Sequence, residues 1–512
     1  MVVTNYSKKV IENFMNPKNM GSMENPDAVG KAGNPVCLLP HQRIDCNPKY
    51  EEIENLGEGN LVLSHTGAYA KIIGISSRKY SGNVIVLRTR LGHIALTPEH
   101  LVFAIKVPPR AKYLITKNKK ELMPAWYHCS DLRKQDMVLY PILKDTKHIT
   151  EMELDIPKSK FDFKSKPLPK SLPINAGMLR LFGYYLSEGS ISLKPSKLYI
   201  NFTLNINEKD ICQDIKEISK KLFGIDVKIK EIPKRKTIQV YLNSAILARF
   251  FNKLFSKGAA NKKIPSFMLS LPPLQQRELL IGLWKGDGYI NIDRAGPRAG
   301  YSTISYQLCQ QIKMLLLRQG IIPSIYIDKE RIKDGVNHKL SYRIHIGERD
   351  SLIRLAKLLG YSYEPKVRGK ILTWLDDNYL YVPITSVKSQ QYDGTVFNLE
   401  VETDHSFTSE AFCLHNCGDM LELHLRIGKN KEGKEIIEDI KFKTLGCAAA
   451  ISTSSMITEI AKGKTIEEAM KITKGEVAES LDGLPPIKMH CSNLAADALH
   501  DALKNYLAKK QQ

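Results

Sequence analysis

The chain holds 512 residues, 43% of them hydrophobic, and its formal net charge is +21. That length predicts several domains rather than one core. No apolar run is long enough to cross a membrane as a helix, and the opening MVVTNYSKKVIENF lacks the apolar stretch of a secretory signal. Nine cysteines scattered without regular spacing argue against a secreted disulfide scaffold and fit a reducing, cytoplasmic setting.

The charge is unevenly spread. Residues 1–36 hold four basic and three acidic side chains, residues 417–512 hold 14 of each, and residues 37–416 hold 57 basic and 37 acidic. One internal segment therefore carries nearly all the excess, which suits a polyanion such as nucleic acid; a merely basic soluble domain is the plain alternative.

In chain order, residues 1–36 are polar and turn-rich, with a helical turn or two around Tyr6–Asn16. From Cys37 to about Lys170, Val- and Ile-rich runs such as IIGISS, VIVLRTRLGHIAL and VFAIKV predict short strands, and residues 145–173 read as a charged, Pro-rich linker. Residues 174–370 alternate apolar helices with β-rich runs and contain a repeat: LFGYYLSEG at 181–189 and LIGLWKGDG at 280–288, each followed by a strand-like run. Short strands return over 381–416. After Asn416, MLELHLRIG and EIIEDIKFKTLG alternate as an antiparallel hairpin. Thr465 and Glu468 have capping-box spacing, and NLAADALHDALKNYL is amphipathic at helical period.

The segment 37–416 begins with Cys37 and ends with His415-Asn416, followed by Cys417. A thiol at the first position can attack the Val36 carbonyl, a second thiol can take the acyl group, and a terminal Asn can cyclise and cut the chain behind itself. This layout resembles an intein. GHIALTPEHLVFA resembles the intein block with a Thr-x-x-His pair, here Thr97 and His100. VFNLEVETDHSF followed by AFCLHN resembles the C-terminal splicing blocks. The resemblance implies that Thr97 and His100 act on the Val36–Cys37 amide, that His405 assists acyl transfer, and that His415 polarises the Asn416 carbonyl. Where many inteins carry Asp, this chain has Asn398, which can hydrogen-bond but supplies no carboxylate.

The two nine-residue motifs resemble the LAGLIDADG homing endonucleases. Physically, each reads as a helix with a side-chain-free Gly183 or Gly282 that allows close packing, and with Gly189 or Gly288 at the position past its end. Glu188 and Asp287 would then meet, and two facing acids suit magnesium and metal-assisted phosphodiester hydrolysis. The following strands would form sheets over double-stranded DNA. KKIPSFML resembles the family block with a catalytic lysine; Lys263 is the candidate, with Lys262 as its neighbour. The alternatives are a nuclease-dead insert that only binds DNA and splices, and an autoprocessing protein that cleaves without ligating.

Residues 1–36 joined to 417–512 give 132 residues. GNPV-CGD, LGCAAA and MHCSNLA resemble the NifU/IscU iron–sulfur scaffolds over nearly that whole length. The resemblance implies that Cys417, Cys447 and Cys491, with Asp419 and His490, hold a [2Fe–2S] cluster or iron or zinc. It also implies a cysteine desulfurase as partner, and an Hsp70-type chaperone at Leu484–Lys488, where LPPIK is similar to the docking motif LPPVK. Cys46, Cys129, Cys212, Cys309 and Cys413 read as buried thiols, with Cys413 close to the splice junction. The expected architecture is multi-domain: a NifU/IscU-like α+β scaffold from residues 1–36 and 417–512, an all-β Hint-type splicing domain from 37–170 and 375–416, and an α+β LAGLIDADG endonuclease from 171–374.

Overall fold

The computed structural model describes residues 6–33, 36–47, 49–108, 123–157, 168–194, 197–291, 296–333, 336–363, 373–416, 420–445, 448–485 and 489–510. Its contacts divide the chain into two compact units. One gathers residues 1–37, 97–100 and 416–512; the other gathers 38–96 and 101–415.

The first unit is assembled from both chain ends. Strand Ala28–Gly33 pairs antiparallel with Met420–Lys429, and that strand pairs with Glu435–Leu445, so the N-terminal piece is an edge strand of a sheet built by the C-terminal piece. Helix Met489–Lys510 lies close against the edge strand. A Cβ on Gly30 would fall 2.2 Å from the Ala498 carbonyl and the Ala502 nitrogen, so this contact needs glycine. Lys31 and Glu422, cross-strand neighbours, form an ion pair of 2.7 Å. An exposed pair of that kind contributes little. The apolar contacts hold the two pieces together: Ala28, Leu421, Leu423, Leu425 and Leu499 are buried in one core. The expected hairpin, the Thr465–Glu468 capping box and the long C-terminal helix are present. A second capping box, Thr473 with Glu476, starts helix Lys474–Ser480.

In the second unit, residues 38–96, 101–108, 123–157 and 373–415 form antiparallel strands with short 3₁₀ turns and, among the described residues, no α-helix. Two long strands, Tyr69–Arg88 and Ser386–Val401, pair along most of their length. A separate sheet carries the hairpin Ser406–Ser409 and Phe412–His415. The stretch read as a linker contains a strand pair, Glu151–Glu153 with Ser171–Pro173.

Residues 174–363 contain one fold twice. Helix Ala176–Glu188 leads into a sheet whose strands lie in the order Gly189–Lys194, Lys197–Asn205, Thr237–Leu242, Lys228–Ile232. Helix Pro273–Asp287 leads into Gly288–Asn291, Arg298–Thr303, Ser341–Ile346, Ser324–Asp328. Gly189 and Gly288 do not stand past the helix ends in left-handed backbone, as expected from sequence. They are the cap residues themselves, at φ −80° and −88°. Their need for glycine is steric: a Cβ would sit 2.3 Å from the Tyr185 ring or 2.6 Å from that of Trp284.

Candidate active sites

The two acid-bearing helices are set by local chemistry. Asn175 accepts a hydrogen bond from the Met178 N–H and caps the first; Pro273 occupies the first turn of the second. Their contact rests on two glycines. A Cβ on Gly183 would lie 2.5 Å from the Leu279 carbonyl oxygen, and one on Gly282 would lie 2.3 Å from that of Arg180. With both absent, the backbones pack directly and the helices end side by side.

Glu188 and Asp287 are the last residues of these helices. Burial, and then the charge of Asp287, pushes the Glu188 carboxyl up to about 7. Burial raises Asp287 as well, against the opposing pull of Lys262. The structure brings Lys262, rather than the expected Lys263, to the acids. Lys262 is buried, its Nζ donates to the Ser187 carbonyl at 3.0 Å, and burial lowers it to about 8 despite the two carboxylates. Lys263 instead donates its backbone N–H to the Phe255 carbonyl. The local reason is that Ser305 accepts no such choice of register: its hydroxyl donates to the Lys262 carbonyl at 2.7 Å and fixes which lysine faces inward. Two buried carboxyls at neighbouring helix ends, both raised by burial and Glu188 further by Asp287, fit a hard divalent cation.

The second group lies at the splice-like ends. In the unit formed by the chain ends, the Cys37 N–H donates to Thr97 Oγ1 at 2.9 Å, and the Thr97 N–H donates to the Cys37 carbonyl at 3.0 Å. His100 follows in the same turn, its N–H donating to the Thr97 carbonyl at 3.0 Å, and its side chain is buried. Cys37 and Asn416 are also buried. Thr97 thus holds the nitrogen of the Val36–Cys37 bond. In the other unit, His415 sits edge-on to Trp126 at 5.0 Å, and Trp126 in turn meets His65 at 5.4 Å. His65 Nδ1 lies 2.6 Å from Ser406 Oγ. Trp126 and His65 were not legible as partners, since nothing in the sequence links them to residue 415. His405 occupies left-handed backbone, φ 47°, just before strand Ser406–Ser409. Asn398 is buried and its Oδ1 accepts the Leu399 N–H at 2.6 Å.

Of the expected cluster ligands, Cys417, Asp419, Cys447 and the side chain of His490 lie outside the described residues, as does 486–488 of the LPPIK motif. Cys491 is buried beside Ala449 and Ala450. Cys46, Cys129, Cys212, Cys309 and Cys413 are buried thiols. Burial pushes the thiols of Cys309, to about 12, and Cys413 upward, which leaves them poor nucleophiles. No helix among the described residues is long and apolar enough to cross a membrane.

Comparison with known proteins matches the NifU-like N-terminal domain to residues 5–38 and 400–512, and a LAGLIDADG-like domain to residues 176–254 and 274–360. The chain is 61% identical over 93 residues to the iron–sulfur cluster assembly scaffold protein IscU 1 of Archaeoglobus fulgidus, covering 18% of this chain and 58% of the relative. It is 29% identical over 424 residues to the uncharacterized protein MJ0043 of Methanocaldococcus jannaschii, covering 76% of this chain and 51% of the relative. It is 27% identical over 418 residues to the ATP-dependent DNA helicase Hel308 of Thermococcus kodakarensis, covering 74% of this chain and 36% of the relative. The chain thus spans between about a third and three-fifths of the length of these relatives. Among solved structures, I-DmoI in complex with DNA and Mn is similar at 14% identity and a TM-score of 0.28, over 37% of this chain and 99% of that one.

Proposed function

From a chain that is an IscU-like scaffold sequence interrupted by a LAGLIDADG insert, we propose that residues 37–416 are a self-splicing intein with a DNA-cleaving domain, and that the joined flanks are an iron–sulfur cluster scaffold. One observation carries the splicing reading. The last residue pair of the edge strand is Gly33 with Met420. Val36 is three residues beyond Gly33, and Cys417 three residues before Met420, so each end is tethered within about 10 Å of that pair. The two flanks fold together, and the residues to be ligated are bound to neighbouring points of one sheet. Tethering of this kind supplies much of the rate of an acyl transfer.

The steps follow from the residues. Cys37 Sγ attacks the Val36 carbonyl, the C–N bond breaks, and the freed Cys37 amine takes the proton. Thr97, holding that nitrogen, and His100 in the same turn are the groups placed to bend and protonate it. Cys417 Sγ then takes the acyl group and returns the Cys37 thiol. Asn416 cyclises through its side-chain nitrogen, breaking its bond to Cys417, with His405 and His415 assisting. The Cys417 amine finally displaces its own sulfur, leaving a Val36–Cys417 amide. The relatives add support. A DNA helicase matches over 74% of this chain, the share that residues 37–416 make up, and a segment common to a helicase and a scaffold is what a mobile insert leaves behind.

In the DNA-cleaving domain, Glu188 and Asp287 would hold magnesium, which supplies Lewis-acid activation at the phosphodiester; Lys262 lends positive charge beside them. Double-stranded DNA at the insertion site is the proposed substrate. In the scaffold, Cys417, Cys447 and Cys491 with Asp419 and His490 would carry the cluster as cargo, served by a cysteine desulfurase and an Hsp70-type chaperone. Mass spectrometry of the chain expressed under reducing conditions tests the core reading: a joined 132-residue product is expected. Persistent full-length chain with Cys37, Asn416 and Cys417 intact overturns it. Cluster reconstitution on a Cys37→Ala, Asn416→Ala chain is expected to fail, because the retained segment 37–416, now beginning with alanine, separates Val36 from Cys417.

A further inference from the structure

Lys313 lies in the middle of the helix Tyr306–Arg318, in the run QQIKMLLL, and its side chain is fully buried. A buried ammonium persists only where its protons and charge are answered. Its Nζ donates to the Glu410 carbonyl at 2.7 Å and stands 4.0 Å over the Tyr140 ring. Asp45 and Glu410 are the carboxylates that offset its burial. Asp45 is itself buried, and its Oδ2 accepts the Tyr140 hydroxyl at 2.6 Å and the Thr408 hydroxyl at 3.1 Å.

The other end of this contact is the turn of the hairpin Ser406–Ser409 and Phe412–His415. Glu410 holds left-handed backbone there, φ 51°, which a non-glycine residue keeps only when its surroundings fix it. Its Oε2 accepts the His93 N–H at 2.7 Å, and its Oε1 the Tyr306 hydroxyl at 3.3 Å. Space for that carboxylate exists because Gly92 has no side chain: a Cβ there would lie 1.8 Å from Oε2. The second strand of the hairpin ends at His415, directly before Asn416.

We propose that Lys313 is a positioning residue for the C-terminal half of the splicing reaction: a lysine of the LAGLIDADG region clamps the turn whose second strand ends at His415, directly before Asn416. The inserted region is then a working part of the splicing machine rather than a passenger. This rests on the splicing reading above, and the test separates the two. In the full chain, an Asn416→Ala background isolates thiol-induced cleavage at Val36, and a Cys37→Ala background isolates cleavage after Asn416. Lys313→Met is expected to slow cleavage after Asn416 at least tenfold while thiol cleavage at Val36 stays within twofold, and Lys313→Arg to restore part of the loss. An equal fall in both steps marks a general packing role and overturns the proposal. Unchanged cleavage after Asn416 also overturns it. A parent chain that performs neither step overturns the splicing reading, and the proposal with it.

Discussion

In the first copy of the repeated fold, the helix between the second and third strands is Lys209–Phe223. It buries one face, including Ile211, Ile215 and Phe223, and turns Lys216 to water. In the second copy the corresponding helix, Tyr306–Arg318, is buried without a break from Leu308 to Leu317, polar residues included. Lys216 and Lys313 each stand seven residues after the first residue of their helix. The sheet orders match, and the acids Glu188 and Asp287 close both leading helices. Duplication has kept the inner features, where two copies must meet, and let the outer faces diverge. One outer helix stays at the surface. The other has become the seat of contacts with the strands of residues 38–157 and 373–415, through Gln307 to Tyr50, Lys313 to Glu410 and Arg318 to Asp145.

The inner symmetry is tested most sharply at the acids. If both copies serve one reaction, Glu188→Gln and Asp287→Asn each lower magnesium-dependent cleavage of insertion-site DNA by on the order of 10²–10³-fold, the size seen when one preorganised electrostatic partner is removed. Single-turnover cleavage of labelled duplex measures this. Full activity in either variant means the copies are not equivalent.

The outer asymmetry is tested by the paired lysines. Lys313→Met leaves Asp45 without its compensating charge and the Glu410 carbonyl without its donor, and is expected to lower unfolding free energy by about 3 kcal/mol. Lys216→Met, at an exposed site, is expected to stay within about 0.5 kcal/mol. Urea titration of the full chain in an Asn416→Ala, Cys37→Ala background reads both. Equal effects erase the distinction drawn between the helices.

The helix contact itself comes next in size. Alanine at Gly183 or Gly282 forces a Cβ into the opposing backbone, and should cost about 1–3 kcal/mol as the helices separate. Gly177→Ala is the control, since a Cβ there meets only side-chain atoms at ordinary contact, Ile218 at 3.5 Å and Asn175 Oδ1 at 3.6 Å, and it should be neutral or slightly stabilising.

These sites differ in how far the sequence exposed them. Gly183 and Gly282 were legible because a repeat with glycine at a fixed offset has a direct steric meaning. The Thr465–Glu468 cap was legible because its partners are three residues apart, and Thr473 and Glu476 carry the same signal. Lys262 could not be told from Lys263, since neighbours in sequence point apart and the register is set by Ser305, far along the chain. The pairing of Glu151–Glu153 with Ser171–Pro173 was hidden by the proline and charge of the sequence around it, which carry no strand alternation. The Asp45, Lys313 and Glu410 cluster left no trace at all. Its members come from three distant segments, and each alone reads as an ordinary surface charge.

The acid pair also predicts a pH dependence that ties the copies together. Glu188 is raised to about 7 in the fold, above its ordinary value, and Asp287 is raised too. A carboxyl raised in this way binds protons more tightly folded than unfolded. The metal-free protein therefore loses stability as pH climbs from the unfolded value through about 7, where the two charges are forced to face each other. Magnesium takes the place of the proton. At roughly ten times its dissociation constant it should restore about 1.4 kcal/mol near pH 8, and less near pH 5.5, where Glu188 already holds its proton. Thermal melts with and without magnesium at both pH values measure the difference. In Glu188→Gln the metal-free loss between the ordinary carboxyl value and about pH 7 should shrink, because the carboxyl raised by burial and by Asp287 is gone. A magnesium effect of the same size at both pH values would mean that the cation binds away from the helix ends.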